Sequence, residues 1–168
     1  REAGYDYPHL EYHVKTGNFE RAGHGLYRLP TLPQSEHDEL IRLSLWSRNR
    51  NDEPQAVVSH DTALGLHQMS DVLPRKTHLT VSRILRKRTP RGCVLHKSTL
   101  ADEETEEREG FRITTPMRTL LDVTATVSQE QFAKAVADAL TRGLVRRRTL
   151  VAGFENAAQG ERLASILK

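Results

Sequence analysis

Two histidines four residues apart, His9 and His13, are the first residues whose types and spacing could do chemistry. On a helix this spacing puts both imidazoles on one face, as in a zinc site. In the zinc-protease arrangement a glutamate directly follows the first histidine, whereas Glu11 comes two residues later, about 200° round the helix. No third ligand is apparent in the sequence. We therefore expect these histidines to contact solvent or phosphate rather than a metal.

A second group, Ser59-His60-Asp61, contains the three residue types of a hydrolytic triad in consecutive positions. Neighbouring side chains on a helix point about 100° apart, so they cannot form the relay of hydrogen bonds that a triad needs. We expect Ser59 to cap a helix, Asp61 to face the positive end of the helix dipole, and His60 to be exposed. His60 and His67 lie seven apart, two turns along one face, where packing or a partner contact is favoured over a metal.

The single cysteine, Cys93, excludes an internal disulfide framework and fits a reducing compartment. Arg91 could lower the pKa of its thiol, but Cys93 begins an apolar strand, where a structural thiol is the default. The sequence has no glycine-rich phosphate loop with its lysine, no Gly-x-Ser-x-Gly elbow and no spaced carboxylate pair typical of a nuclease. We therefore predict a protein that is not an enzyme and uses no cofactor or metal.

The net charge of +3 is modest, but the first hundred residues hold 15 Lys/Arg and 11 Asp/Glu. The densest basic segment predicts phosphate contacts, the alternative being a solvated loop beside Pro90 and Gly92. An acidic segment at 102–109 is expected to be a solvated, mobile loop. The sequence has no apolar run long enough for a membrane span and no signal peptide, so we expect a cytoplasmic protein. The cations of the basic segment are Arg83, Arg86, Lys87, Arg88 and Arg91.

The first thirty residues predict a short helix followed at once by a tight hairpin. Asp6 suits the N-cap, and Pro8 suits the first turn, where its missing N–H costs nothing. Leu10 and Val14 share the inner face, and Gly17 stands where the helix should stop. Strands are predicted at 19–21 and 26–29, around a glycine-rich turn at 22–25.

A short helix that runs into a two-stranded ribbon is the second half of a winged helix-turn-helix, which places a helix in the major groove of DNA. The chain therefore begins in mid-motif, and we expect the native protein to extend upstream. Lysine and arginine would contact phosphates, and the other side chains bases or sugars. Alternatively, Tyr27 and Leu29 pack the wing on the helix and only two or three cations touch DNA. Besides the basic segment, which residues 146–148 could extend, the predicted contacts are Tyr7, His9, Tyr12, Lys15, Arg21, His24 and Arg28.

Beyond the hairpin, two prolines at 30 and 33 make a stiff connector, where we place a domain boundary. A helix capped by Ser35 follows. Helices and short strands then succeed one another without regular alternation, which favours an α+β domain over 34–168, after the partial winged helix at 1–33. Strands are expected at 56–58, 78–81, 93–96 and 111–113, and helices at 35–46, 61–69, 114–123, 128–140 and 161–167, with a short element at 144–150.

The opening residues resemble the winged-helix end of AbiEi family antitoxins, in which a short helix and a glycine precede "x-Phe/Leu-x-Arg" and "Gly-Val/Leu-Tyr-Arg". Further segments resemble the family in the same order along the chain, so that the resemblance covers most of it. The first part of the winged helix is missing. The matching positions are Gly17, Phe19, Arg21, Gly25, Leu26, Tyr27 and Arg28, followed by VVSHDTALGLHQM at 57–69, HLTV at 78–81, TTPMRTLLDV at 114–123 and AVADALTRGLV at 135–145.

The resemblance implies the antitoxin of a type IV toxin–antitoxin system, a class linked to phage defence. Such a protein binds inverted repeats of double-stranded operator DNA, represses its own operon and counters a nucleotidyltransferase-like toxin, with or without direct contact. Arg118 and Asp122 lie in the recurring Thr-Pro-x-Arg-Thr-Leu-Leu-Asp segment, and their spacing of four suggests a structural pair. Two alternatives stay open: the non-catalytic N-terminal part of a nuclease-like protein, and a winged-helix regulator that responds to a small ligand.

Overall fold

The computed structural model describes residues 6–23, 25–33, 35–71, 74–155 and 160–167, without the side chain of Tyr7. The predicted helix and hairpin are both present: α1 spans Tyr7–Lys15, β1 spans Glu20–Gly23 and β2 spans Leu26–Arg28. Asp6 caps α1 by accepting a hydrogen bond from the backbone N–H of His9 at 3.1 Å. Gly17, with a φ of 76°, adopts the left-handed conformation that turns the chain after the helix.

Five strands form a mixed sheet in the order β5-β4-β3-β7-β6. Strands β3 and β4 run antiparallel, as do β6 and β7, whereas β7 is parallel to β3 and β5 is parallel to β4. The molecule is thus a mixed α/β protein, in agreement with the combination of helices and strands that the sequence predicts. The strands span Ala56–Val58 (β3), Thr77–Val81 (β4), Cys93–Lys97 (β5), Thr105–Arg108 (β6) and Phe111–Thr114 (β7).

One face of this sheet is apolar because side chains alternate between the faces of a strand. It packs on Leu40 and Leu43 of helix α2, which spans Asp38–Ser47. The opposite face is largely polar, since the strand register places Thr80 beside His96 and Arg112 beside Val57. The apolar face consists of Ala56, Val58, Leu79, Val81, Cys93, Phe111 and Ile113.

A second core lies among the helices that follow the strands. Its side chains include Leu120 and Val123 of α4 (Pro116–Val123) and Phe132 and Val136 of α5 (Gln129–Thr141), all buried. The predicted start of α4 is confirmed, since Thr115 caps it, and so is the capping box of α5, formed by Ser128 and Gln131. None of the described helices is long and apolar enough to cross a bilayer. The remaining helices are α3 (His60–Leu66), α6 (Arg147–Glu155) and α7 (Gly160–Ala164).

The predicted cap of α2 is wrong. The helix begins at Asp38, with His37 at the N-cap position and no side-chain cap. Ser35 instead closes a turn ahead of the helix: its carbonyl accepts from the N–H of Asp38 at 3.2 Å, and its hydroxyl accepts from the N–H of His37 at 3.2 Å. A serine hydroxyl can satisfy such a turn as readily as a helix end, which is why the sequence alone did not separate them.

The acidic segment is not the loop that its charge predicts. Residues Asp102–Glu104 form a 3-10 turn, and β6 then pairs antiparallel with β7 at the edge of the sheet. Arginines neutralise the carboxylates: Arg118 lies 2.7 Å from Glu104, and Arg112 lies 3.3 Å from Asp102 and 3.4 Å from Glu107. Backbone pairing with β7, together with ion pairs to arginines later in the chain, thus orders the acidic segment.

Candidate nucleic-acid interface

The outer face of α1 presents polar and aromatic side chains to solvent, because the helix buries little besides Leu10 and Val14, which are half-buried. Tyr12 is 62% exposed, and Lys15 is exposed in the last turn. His9 is also exposed, with its Nδ1 2.7 Å from a carboxylate oxygen of Asp6. These side chains remain accessible to a partner that approaches the helix from outside.

The two histidines of α1 do not converge on a common point. His9 faces Asp6 at the start of the helix, whereas the ring of His13 lies 5.1 Å from that of Phe19. The amide nitrogen of Asn18 also lies 3.2 Å from Nδ1 of His13. Over the described ranges of the chain, no group of three or more His, Cys, Asp or Glu side chains is arranged to hold a metal ion.

The ribbon beside α1 separates its two predicted arginines. Arg21 pairs across the ribbon with Tyr27 and is exposed. Arg28 is only 25% exposed: it donates a hydrogen bond to the carbonyl of Leu32 at 2.8 Å and lies 3.9 Å from Asp38. A DNA contact by Arg28 would have to displace these partners. Two other predicted contacts, His24 and the side chain of Tyr7, lie outside the described residues.

The basic segment forms the connection between β4 and β5, and all five of its cations are exposed. Lys87 differs from the arginines of the segment because its ammonium group is hydrogen-bonded to the end of α2. Its Nζ donates to the carbonyls of Trp46 at 2.6 Å and of Arg48 at 2.7 Å. It also lies 6.0 Å from the centre of the Trp46 ring. Lys87 therefore fixes the segment to α2. The four exposed arginines, which together with Lys15 and Arg21 we call the basic surface, are Arg83, Arg86, Arg88 and Arg91.

An open groove of about 550 Å³ lies between the ribbon and α2. Its walls are mainly apolar, with Leu26 and Leu29 on the ribbon side and Ile41 and Leu45 on the helix side. Leu32, from the connector, also lines it and is more than half exposed. The volume is in the range of small-molecule sites.

The sequence missed a cluster of three histidines that the sheet and α3 bring together. His78 and His96 project from the polar face of the sheet, and His60 begins α3 directly after β3. The rings of His60 and His96 stack with centres 3.5 Å apart, and Nε2 of His96 lies 3.2 Å from Nδ1 of His78. The prediction of an exposed His60 is therefore wrong: its side chain is only 12% exposed.

Ser59 serves this cluster rather than the helix that it was predicted to cap. It holds the N-cap position of α3 but makes no side-chain cap hydrogen bond. Its hydroxyl accepts from the hydroxyl of Thr80 at 2.8 Å and lies 3.0 Å from Nδ1 of His60. Ser59 is fully buried, so its hydroxyl is out of reach of a substrate.

Helix α4 supplies the charged side chains beside the histidines. Arg118 donates to Asp122 at 2.8 Å and to Glu104 at 2.7 Å, which confirms the predicted pairing of Arg118 with Asp122. The second oxygen of Asp122 is buried without a hydrogen-bond partner and lies 4.0 Å from Nδ1 of His60. We call this set the polar layer: Ser59, His60, His78, Thr80, His96, Glu104, Arg118 and Asp122.

Burial controls the protonation of the polar layer. Burial, with further contributions from nearby His96, His78 and Arg118, lowers the pKa of His60 to about 3. Burial likewise lowers the pKa of His96, and His78 adds to the effect. Burial raises the pKa of Asp122, although its ion pair with Arg118 opposes the shift. At neutral pH the imidazoles of His60 and His96 are therefore uncharged.

His67 and Cys93, the other two candidate residues of the sequence, are both buried in the protein. His67 is buried and accepts at Nδ1 from Arg108 at 3.2 Å, so its Nε2–H donates to the carbonyl of Thr114 at 2.7 Å. Burial lowers the pKa of His67. Cys93 is buried in the sheet core, and burial raises the pKa of its thiol, the opposite of the activation that Arg91 could have given.

Neither the protein-family models nor the curated proteins include a match to this chain.

Proposed function

We propose that this chain is a DNA-binding antitoxin that represses its own operon and counters a nucleotidyltransferase-like toxin. The observation that carries the DNA-binding part is the capped helix α1 followed directly by an antiparallel ribbon, with Tyr12, Lys15 and Arg21 exposed. A helix of this kind reads base edges in the major groove, while cations of the ribbon contact phosphates. The antitoxin part rests on the resemblance to AbiEi family antitoxins.

The basic surface supports the same proposal. Its arginines between β4 and β5 are exposed, and Lys87 holds their backbone against the end of α2, a helix that also lines the groove with the ribbon. The ribbon and the basic segment therefore contact the same helix, which has ten residues and is about 15 Å long. Both could contact the backbone of one duplex.

A titration with DNA tests the repressor part. The full-length protein is titrated against labelled DNA from upstream of its own gene, at two salt concentrations, with scrambled DNA of the same length as competitor. We expect tighter binding to the upstream DNA and a marked loss of affinity at higher salt, because phosphate contacts release counterions. Equal affinity for upstream and scrambled DNA at both salt concentrations would overturn the repressor.

Co-expression tests the antitoxin part separately. The gene of the nucleotidyltransferase-like protein encoded beside this chain is induced in cells with and without the chain, and growth is recorded. We expect growth arrest only when the chain is absent. Arrest in both strains would remove the antitoxin role while leaving the DNA titration as it stands.

The groove between the ribbon and α2 favours a second candidate, a repressor that releases DNA when an apolar ligand binds. Filling the groove would press on Leu26 and Leu29 and so shift the ribbon relative to α2. The fluorescent probe anilinonaphthalene sulfonate serves as a trial ligand. If the groove is a ligand site, the native protein binds the probe and loses DNA affinity, and Ile41→Trp, which fills the groove, abolishes probe binding. Probe binding that survives Ile41→Trp would contradict it.

A further inference from the structure

We propose that the turn Ser82–Arg83–Ile84–Leu85 inserts Ile84 between base pairs in the minor groove and bends the DNA. The inference rests on the proposed DNA-binding function and adds a second contact to it. Ile84 is 80% exposed, more than any other large apolar side chain in the described part of the chain. Apolar wedges beside cationic side chains are how many proteins enter the minor groove and unstack a base step.

The turn is built to project its two central residues. The N–H of Leu85 donates to the carbonyl of Ser82 at 3.0 Å, which closes a β-turn with Arg83 and Ile84 at its tip. The side chain of Leu85 points the other way and packs against the sheet core. Ile84 is therefore held outward by a hydrogen-bonded turn whose base is anchored in the protein.

Lys87 anchors the far side of the turn. Its two hydrogen bonds to the end of α2 leave Arg83 and Arg86, on either side of Ile84, exposed to solvent. A rigid tip loses little conformational entropy when it inserts, which favours insertion. The cations on both sides match the negative potential of a narrow minor groove.

Helix α2 connects the turn to the ribbon. Lys87 contacts the end of α2, and the ribbon lies along the same helix, which is about 15 Å long. The major and minor grooves of a duplex alternate about every half turn, roughly 17 Å. The proposal therefore places the turn in the minor groove next to the major groove that α1 would occupy.

The test measures DNA bending and unstacking. A duplex from upstream of the gene carries fluorescent dyes at its two ends for energy transfer, and a second duplex carries 2-aminopurine, which brightens when its neighbours unstack. We expect the wild type to raise both signals. Ile84→Ala should abolish the 2-aminopurine change and weaken binding about tenfold, the order expected for a buried isoleucine partly offset by unstacking. Ile84→Phe, which keeps an apolar wedge, should restore both signals.

Val151→Ala is the matched control, because Val151 is an exposed apolar residue on α6. It should bend DNA as the wild type does. Specific binding by the wild type with signals that Ile84→Ala leaves unchanged would overturn the wedge alone. Absence of specific binding by the wild type would overturn the repressor as well. Vesicles with anionic lipid provide the last arm: binding to them that depends on Ile84, without any DNA bending, would assign the turn to a membrane surface instead.

Discussion

The basic surface and the polar layer both contain ionisable side chains, but in opposite surroundings. Lys15, Arg21 and the arginines between β4 and β5 stay in water and keep their charge available to a partner. In the polar layer, Arg118 is bound by two carboxylates and the neutral His60 and His96 stack on each other. Substitutions in the basic surface should therefore change DNA affinity but not the free energy of unfolding. Substitutions in the polar layer should change the free energy of unfolding but not DNA affinity.

The largest effect should come from breaking the polar layer. Arg118→Ala leaves Asp122, 7% exposed, without its cation, and removes the partner of Glu104. Loss of one member of a buried pair costs about 3–5 kcal/mol, so we expect a decrease of this order in the free energy of unfolding. Urea denaturation followed by circular dichroism measures it.

Lys134→Ala is the control for this change, because Lys134 also pairs with a carboxylate four residues away, Asp138, but in an exposed setting. It should leave the free energy of unfolding nearly unchanged. Equal stabilities for the Arg118 and Lys134 variants would show that the polar layer contributes no more than a surface pair.

The second effect is a loss of stability in acid. His60 and His96 take up protons less readily when folded than when unfolded, since both folded pKa values lie below the ordinary 6.5. Below about pH 6.5 the unfolded chain therefore binds more protons, and the free energy of unfolding should fall by on the order of 1 kcal/mol per pH unit for each such histidine. This loss should continue towards pH 3 for His60.

His60→Asn isolates that contribution, because asparagine tolerates the left-handed backbone of residue 60, where φ is 51°. Asp122 affects the free energy of unfolding in the opposite sense, because its folded pKa is raised above the ordinary 3.8. Above pH 3.8 the folded state holds more of this proton than the unfolded state, so the contribution of Asp122 to stability rises as the pH falls. We expect the variant to show a shallower decline of stability between pH 6.5 and 5 than the wild type. Parallel declines would mean that His60 takes up its proton equally in both states.

The smallest effect is one of specificity, at Tyr12 on α1 beside the basic surface. Tyr12 is exposed and has no cationic group with which to neutralise a phosphate. Tyr12→Ala should reduce discrimination between upstream and scrambled DNA by about 1 kcal/mol without changing the salt dependence of binding. Competition titrations at two salt concentrations measure both quantities. A changed salt dependence with intact discrimination would place Tyr12 outside the base-reading face.

Local signals predicted the elements well. The cap at Asp6, the Thr115-Pro116 helix start and the Ser128 capping box are short-range patterns, and each is present. The short strand Ala56–Val58 is present over the predicted residues. In each case the partners lie within a few positions in the chain, where spacing determines geometry.

The histidine cluster of the polar layer could not be predicted from the spacing of residues along the chain. His78 and His96 come together because β4 and β5 pair in parallel, and His60 joins them only through the path of the chain after β3. The single sequence signal is that His78 and Thr80, two residues apart on a strand, must share a face. The prediction of a mobile loop for the acidic segment was wrong for the same reason. Arg112 and Arg118, which neutralise its carboxylates, lie further along the chain.

The most direct test compares the salt dependence of DNA binding in the wild type, Lys15→Ala/Arg21→Ala and His60→Asn. If the basic surface contacts phosphates, the negative slope of log affinity against log salt should be smaller in magnitude by about two in the double variant than in the wild type. The melting temperature of the double variant should be unchanged. His60→Asn should keep the wild-type slope. A double variant that binds upstream DNA with wild-type affinity and slope would contradict the assignment of α1 and the ribbon to the DNA interface.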